Sequence, residues 1–163
     1  MFRIPVFTII VLFTLSIANA GDPSGNAARK ADSLAVKEAV VTFVKALDNL
    51  NLKGFRNCFT DDFSMFFPHA SRIHRVDGKE KVAKGAQQAF DDARQRLSGP
   101  PYLNLVALNM RVQMLDENSA VVTWQTNRET HTGRRTAVLQ KVDGKWLFAS
   151  YHASNYTNPK ESD

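Results

Sequence analysis

Residues 134–156 read RRTAVLQKVDGKWLFASYHASNY, and this stretch decides the fold. Two runs of β-favouring residues flank Asp143-Gly144, a pair that suits the positive φ angles of a tight hairpin turn. Side chains alternate between the two faces of a strand. Strict alternation therefore predicts one face with Trp146, Phe148, Ser150, His152 and Ser154 and another with Leu147, Ala149, Tyr151 and Ala153. A strand that begins apolar and ends in His and Ser is typical of one that leaves a core for a cavity or rim.

Helical periodicity precedes this hairpin. Apolar residues recur at intervals of three and four over 33–50, which predicts an amphipathic helix with Asp32 or Ser33 as its N-cap. A short helix over 52–59 follows. A second long helix is predicted over 79–97, where apolar and charged positions again separate to two sides.

The remaining segments favour strands. The run FSMFF at 63–67 is too short for an independent helix and meets Pro68, so it predicts a strand with 71–76 as its hairpin partner. After the second long helix the chain is predicted to be β throughout, with strands at 102–115, 120–131, 134–142 and 145–156 and turns at 116–119, 132–133 and 143–144. Helices kept apart from an antiparallel sheet make an α+β fold, and strands this long generally bend, which predicts a curved sheet.

This order of elements resembles the SnoaL-like branch of the nuclear transport factor 2-like superfamily. The motifs that carry the resemblance are the opening amphipathic helix, FTDDFSMFFP, the start of the long helix at Gly78, and the final Gly-Lys-Trp…His-x-Ser strand, all within 33–155. It implies a cone in which a curved, mainly antiparallel sheet of four to six strands wraps a long helix. It also implies a pocket at the wide end and a homodimer.

The N-terminal twenty residues have the pattern of a signal peptide. Arg3 precedes a mostly apolar run over 6–17, and Ala18-Asn19-Ala20 fits a small-x-small cleavage site. The run is short for a membrane span, so we expect cleavage after Ala20, a secreted or periplasmic protein and no stable membrane insertion; an uncleaved anchor is the alternative. The expected organisation is a signal peptide at 1–20, a flexible lead-in at 21–32, a SnoaL-like domain at 33–157 and a mobile tail at 158–163.

Composition excludes some classes of function. The chain has 163 residues, one cysteine and a net charge of +5. Its basic residues are interspersed with acidic ones, whereas a nucleic-acid binder concentrates them in a patch, so no nucleic-acid partner is expected. A single cysteine, Cys58, allows no intramolecular disulfide and is read as a buried structural thiol.

His152 and Asp62 are the candidate catalytic residues. The resemblance places the end of the last strand beside the pocket, where a neutral imidazole at His152 could transfer a proton. Asp61 and Asp62 precede the predicted strand at 63–67, and a desolvated carboxylate at Asp62 could act as a base. The structural alternatives are a rim histidine bonded to backbone or buried in a dimer face, and turn chemistry for the two aspartates.

A second set of residues is predicted to contact a ligand. The aromatic members could line an apolar pocket or simply form core. Arg128 shares a strand face with Trp124, and Arg128 or the neighbouring-strand Arg135 could bind an anionic group or form a surface ion pair. The predicted ligand-binding residues are Ser154, Trp124, Phe63, Phe67, Phe90, Arg128 and Tyr151. The four histidines have no recognised metal-ligand spacing, so neither a metal nor a cofactor is expected.

The sequence therefore predicts an exported domain that binds a small, partly apolar molecule. Proton-transfer chemistry of an isomerase, cyclase or lyase type is possible on this fold. The alternative is a non-enzymatic homo-oligomerisation or accessory module with a vestigial pocket, since the resemblance extends to the association domain of calmodulin-dependent kinases.

Overall fold

The computed structural model describes residues 23–67, 74–127 and 131–157. Within them the six strands form one curved, open sheet in the order β2–β1–β6–β5–β4–β3, in which only β1 and β6 are parallel. The α+β class and the mainly antiparallel curved sheet are confirmed. The elements are α1 (Pro23–Asp48), α2 (Leu52–Arg56), β1 (Phe59–Phe66), β2 (Val76–Asp77), α3 (Lys79–Arg96), β3 (Leu108–Met114), β4 (Ser119–Asn127), β5 (His131–Val142) and β6 (Lys145–Thr157).

The β5–β6 hairpin turns where the sequence predicts. Asp143 and Gly144 have φ angles of 49° and 76°, both in the left-handed region. Two such residues in succession make the tight turn whose twist matches that of the flanking strands. The hairpin then pairs from Val142↔Lys145 to His131↔Thr157, so β5 and β6 are paired from end to end.

A β-bulge interrupts β6 and reverses the facing of its second half. Leu139 pairs with Phe148 while Val138 pairs with Ser150, so Ala149 is the extra residue. One inserted residue exchanges the two faces for every side chain beyond it. The strict alternation expected from the sequence was therefore wrong beyond Phe148.

The burial of β6 follows the bulged register. Before the bulge Trp146 and Phe148 are buried; beyond it the buried residues are Tyr151 and Ala153, and His152 is exposed. The inner face of the sheet, which packs on the helices, thus receives Trp146, Phe148, Tyr151, Ala153 and Asn155. The outer face receives Ser150, His152 and Ser154.

Aromatic side chains form the centre of the core between α1, α3 and the inner face. The Phe43 ring lies 4.7 Å from Phe148 and 5.3 Å from Tyr151, between ring centroids. Phe59 and Phe63 on β1 stack at 3.9 Å, almost parallel. Each such side chain buries a large apolar area, and offset or edge-on ring contacts add to that stabilisation.

Helix α1 begins ten residues before the sequence predicts. It starts at Pro23, and the N-cap expected at Asp32 or Ser33 was wrong. Proline suits a first helical position because its missing N–H would be unpaired there anyway. Residues 23–32, expected to form a flexible lead-in, are helical.

Tertiary contacts hold this first part of α1 against the sheet. Arg29 Nη2 donates to the carbonyl of Met114 at 2.8 Å. The Asp32 carboxylate accepts from Lys141 Nζ at 2.5 Å and from Trp146 Nε1 at 3.3 Å. The bond from Lys141 is the main reason that the pKa of Asp32 lies below its ordinary value. These partners are more than eighty residues distant, so local pattern does not reveal them.

Two more boundaries differ from the prediction. Strand β1 starts at Phe59, inside the predicted short helix, and it contains Asp61 and Asp62, which were wrongly expected to form a turn. Both aspartates face solvent, and Asp61 pairs with Lys79 Nζ at 2.5 Å. Gly133, predicted as a turn residue, lies within β5, paired with Thr126 and Asn155.

Strand β3 is shorter than predicted because the segment before it is a loop. Residues 102–107 lie outside β3, which starts at Leu108. Asp48 at the end of α1 anchors this loop, since its Oδ1 accepts from the backbone N–H of Leu103 at 3.0 Å and of Leu105 at 3.2 Å. The loop is thereby fixed above the core.

Some expectations fall on residues that the structure leaves undescribed: the signal peptide at 1–20, the tail at 158–163, and the start of the partner strand at 71–73. Of the described part of that segment only Val76 lies in a strand, β2, which pairs antiparallel with β1 through Val76 and Asp77. In the described ranges, no helix combines the length and apolarity that crossing a membrane requires.

The reversed facing of β6 can be tested with two adjacent substitutions. Tyr151→Ala should lower the free energy of unfolding by about 3 kcal/mol or more, because it removes a buried aromatic ring. His152→Ala should lower it far less than Tyr151→Ala does, because the imidazole does not enter the core of the subunit. Urea denaturation of both variants measures the difference. A larger loss for His152→Ala than for Tyr151→Ala would contradict the bulged register.

Candidate functional site

A cavity lies between α1, α3, the loop over residues 102–107 and the inner face of the sheet. Its volume is about 340 Å³. Most of its wall is apolar, and Asp48 contributes indirectly by holding Leu103 and Leu105 in place. The apolar lining residues are Phe43, Val44, Leu47, Phe55, Met65, Phe67, Ala86, Ala89, Phe90, Leu103, Leu105, Trp124 and Tyr151.

The remaining lining residues, Thr126, Arg135 and Asn155, form the polar end of the cavity. The pairing register of three strands brings these three side chains close together. Gly133 pairs with Thr126 on one side and with Asn155 on the other, and Arg135 lies two residues further along β5 on the same face. Three strands thus bring a hydroxyl, an amide and a guanidinium together.

Gly133 gives the Arg135 guanidinium room to lie against the sheet. A Cβ atom on Gly133 would come within 2.6 Å of Arg135 Cζ and would also collide with Thr126 Oγ1. The guanidinium is oriented by neutral acceptors: Nη1 donates to the Ser154 carbonyl at 2.6 Å, and Nη2 to Asn155 Oδ1 at 3.0 Å. A glycine inside a strand often marks such a close approach.

Two further donors belong to the stacked pair Trp124 and Tyr151, whose ring centroids are 5.7 Å apart at an interplanar angle of 19°. Trp124 is only 3% exposed, and its indole Nε1 has no hydrogen-bond partner among the described residues. Burial raises the pKa of Tyr151 far above its ordinary value, an effect that the positive charge of Arg135 only partly opposes. The Tyr151 phenol therefore stays protonated at neutral pH.

The structure brings four of the predicted ligand-binding residues to the cavity: Trp124, Phe67, Phe90 and Tyr151. Phe63 lies instead in the fully buried core, stacked on Phe59. Ser154 follows the bulge to the outer face. Arg128 lies outside the described residues. The aromatic pocket expected from the sequence thus has a counterpart, while the ligand contacts themselves stay a prediction.

Neither candidate catalytic residue lines this cavity. His152 is exposed on the outer face, where its ring lies 5.7 Å from the ring of Phe66. Asp62 is exposed on β1. The expectation that His152 borders the pocket was wrong because the bulge turns Tyr151 and Ala153 inward in its place. A catalytic role for either residue stays an untested prediction.

Sequence reasoning did not select Arg135, Thr126 or Asn155 as site residues. Arg135 was considered as an anion-binding group, but its position opposite Trp124 depends on the β4–β5 register. Asn155 faces inward only because of the bulge. The available signal was Gly133, a glycine within a β-favouring run near Arg135.

The described residues contain no cluster of three or more potential metal ligands. His69, considered for a metal site, lies outside them. Cys58 donates its thiol to the Gly54 carbonyl at 3.3 Å, and burial raises its pKa to about 11. Such a thiol is poorly nucleophilic at neutral pH, because the reactive form is the thiolate.

Comparison with known proteins identifies the family. The SnoaL-like domain family matches residues 36–159, and the chain belongs to this family. No curated protein matches the sequence.

Solved structures share the fold at low sequence identity. A proposed scytalone dehydratase from Novosphingobium aromaticivorans is 14% identical with a TM-score of 0.67, over 85% of this chain and 93% of that one. A ketosteroid isomerase-like protein from Erwinia carotovora atroseptica is 17% identical with a TM-score of 0.63, over 78% and 98%. A protein of the nuclear transport factor 2-like family from Pseudomonas putida, of unknown function, is 15% identical with a TM-score of 0.64, over 77% and 87%. At such identities the likeness concerns the fold alone.

The buried phenol of Tyr151 predicts a specific loss of stability at high pH. In the unfolded chain tyrosine ionises near pH 10, whereas folded Tyr151 keeps its proton. The unfolded state then binds fewer protons, so stability falls as pH rises above about 10, by up to about 1.4 kcal/mol per pH unit from this group. Tyr151→Phe removes that contribution.

Urea denaturation at pH 8, 10 and 11 measures the effect as the difference between the two proteins. Tyr156→Phe, at an exposed position in the same strand, is the control and should decline with pH as the wild type does. An equal decline in Tyr151→Phe and wild type would contradict the buried, protonated phenol.

Proposed function

We propose that this SnoaL-like protein binds a small, partly apolar molecule in the cavity between its helices and sheet. The observation that carries the proposal is an open space of about 340 Å³ with aromatic walls and a polar end. Ligand sites in proteins are typically concave, mostly apolar and about 300–1,000 Å³ in volume, with a few polar groups that fix orientation. The cavity meets each of these criteria.

The nature of the lining favours binding over proton transfer. A general base must lie within hydrogen-bond reach of the atom that it deprotonates. Among the described lining residues there is no carboxylate and no imidazole. A vestigial pocket, the alternative for an assembly module, would be filled by its own aromatic side chains, whereas here they surround an open space.

The proposal places the protein outside the cytoplasm. Its support is the sequence of residues 1–20 alone, in which a twelve-residue apolar run ends at a small-x-small site. Cleavage after Ala20 would leave Pro23, the first residue of α1, close to the new N-terminus.

Homodimerisation through the outer face is part of the same proposal. The central outer positions on four adjacent strands carry no Lys, Arg, Asp or Glu: Ser64, Phe66, Ser150, His152, Thr136, Val138, Val121 and Thr123. Phe66 is 39% exposed within this surface. Depletion of charge around an exposed aromatic is typical of the centre of a protein interface.

Ligand binding is testable by thermal stability. Small apolar acids, ketones and phenols are screened against the purified protein, and a ligand at 100 times its Kd should stabilise it by about 2.7 kcal/mol. Ala86→Phe, which extends a buried lining residue into the cavity, should weaken binding of any hit at least tenfold. Gln88→Phe adds the same side chain at an exposed position of α3 and should leave binding unchanged.

If folded Ala86→Phe binds a hit as tightly as the wild type does, the ligand binds outside the cavity and the proposed site is contradicted. His152→Ala and Asp62→Ala should bind as the wild type does. A loss of binding in either variant would place the ligand at that exposed residue and contradict binding in the cavity.

The dimer is tested with a charge in the centre of the outer face. Val138→Arg should convert the dimer to a monomer, because two buried like charges would face each other without partners. Val41→Arg, the same substitution at a solvent-exposed position of α1, is the control. Analytical ultracentrifugation gives the masses. A monomeric wild type, or a dimeric Val138→Arg, would contradict the interface.

A further inference from the structure

We propose that the ligand is a flat apolar molecule with a carboxylate, and that Arg135, Trp124 Nε1 and the Tyr151 hydroxyl bind this carboxylate. The inference rests on the proposed function and specifies its ligand class. It concerns the polar end of the cavity and the donor pair beside it.

The three groups at this end of the cavity are all hydrogen-bond donors. A guanidinium and an indole N–H can only donate, and the protonated phenol has an O–H to give. Trp124 Nε1 is buried without a partner among the described residues. A buried donor left unpaired lowers stability, so an acceptor brought by a ligand recovers that energy.

The charge of Arg135 favours an anionic ligand. Arginine is protonated at every physiological pH and presents a planar fork that matches a carboxylate. The Ser154 carbonyl and Asn155 Oδ1 hold the Arg135 guanidinium at the cavity wall. A cation held at an apolar cavity favours an anion over a neutral acceptor, since ionic hydrogen bonds are about twice as strong.

The shape of the cavity wall favours a flat ligand. Trp124 and Tyr151 lie nearly parallel, and Phe43 and Phe90 line the same space. Such rings present broad, flat surfaces, and aromatic groups pack on them with a stabilisation beyond area burial alone. The body of the ligand is therefore expected to be a planar ring system, with its carboxylate toward Arg135.

A substitution at Gly133, which lies against the guanidinium, can displace the charge of Arg135 without removing it. Gly133 has an ordinary backbone conformation, so Gly133→Ala introduces no strained φ angle. The added methyl would collide with Arg135 Cζ and with Thr126 Oγ1, so the guanidinium at the end of its flexible side chain and the Thr126 hydroxyl would both have to shift. Arg135 would then be present but displaced.

The experiment compares two ligands of nearly equal shape. Naphthalene-2-carboxylate and naphthalene-2-carboxamide are titrated into the protein by calorimetry at pH 7.5, where the acid is ionised. We expect the carboxylate to bind at least tenfold more tightly than the amide. Arg135→Gln should reduce that ratio to about one, mainly by weakening the carboxylate.

Arg134→Gln is the matched control. It removes the same charge from the adjacent residue of β5, whose exposed side chain points to the other face of the sheet. It should leave the ratio as in wild type. Gly133→Ala should lower the ratio towards that of Arg135→Gln, and Trp124→Phe should weaken both ligands, because each offers an oxygen to the indole N–H.

The outcomes separate this inference from the function that it rests on. If both ligands bind equally to wild type, or if Arg135→Gln keeps the preference, the carboxylate inference is overturned and a binding cavity stands. If neither ligand binds, while the wider screen yields hits that Ala86→Phe weakens, only the ligand class is wrong. If no compound of either set binds, the proposed function fails with it.

Discussion

The arrangement of this protein depends on one extra residue in its last strand. Ala149 has no counterpart on β5, and the bulge that it makes exchanges the two faces of β6 between Phe148 and Ser150. Without it, the strand that begins by burying Trp146 and Phe148 would go on to bury His152 and Ser154. With it, the same inner face continues through Tyr151, and the polar pair turns to the outer surface.

The chemistry of the cavity follows from that reversal. Tyr151 stacks on Trp124, and Asn155 reaches Arg135 only because both residues face inward. The result is a mainly apolar space with donors gathered at one end, where Gly133 leaves room for a guanidinium. The two candidate groups for proton transfer lie elsewhere: the His152 imidazole on the outer face of the sheet and the Asp62 carboxylate at an exposed position of β1. The same fold can thus support binding or catalysis, according to which residues the register turns inward.

Local patterns in the sequence predicted the elements whose causes are local. Asp143-Gly144 specified its turn because two positive φ angles suit few other pairs, and α3 followed from apolar spacing after Gly78. The aromatic character of the pocket was also predictable, since Trp124 and Phe90 occupy strongly patterned elements. The errors have non-local causes. The bulge is defined by pairing with β5, and the early start of α1 is held by Lys141 and Trp146.

The candidate site, too, was predictable from the sequence only in part. Arg135 could be recognised as a cation near an aromatic strand, but its place opposite Trp124 and over Gly133 depends on the registers of three strands. Asp62 and His152 were plausible by residue type alone. Residue type suggests which chemistry is possible, whereas strand register decides which side chains share a space.

The two tryptophans allow the most direct test of this account. Trp124 and Trp146 are the only tryptophans in the chain, so a proton–nitrogen correlation spectrum shows two indole N–H signals, assigned with Trp124→Phe. Trp146 Nε1 donates a hydrogen bond to Asp32, whereas Trp124 Nε1 has no acceptor within the part of the chain that the structure describes. Titration with naphthalene-2-carboxylate should move the Trp124 signal downfield and leave that of Trp146 in place. Saturable binding that leaves the Trp124 signal unmoved would contradict the inward-facing donor site on which the account depends.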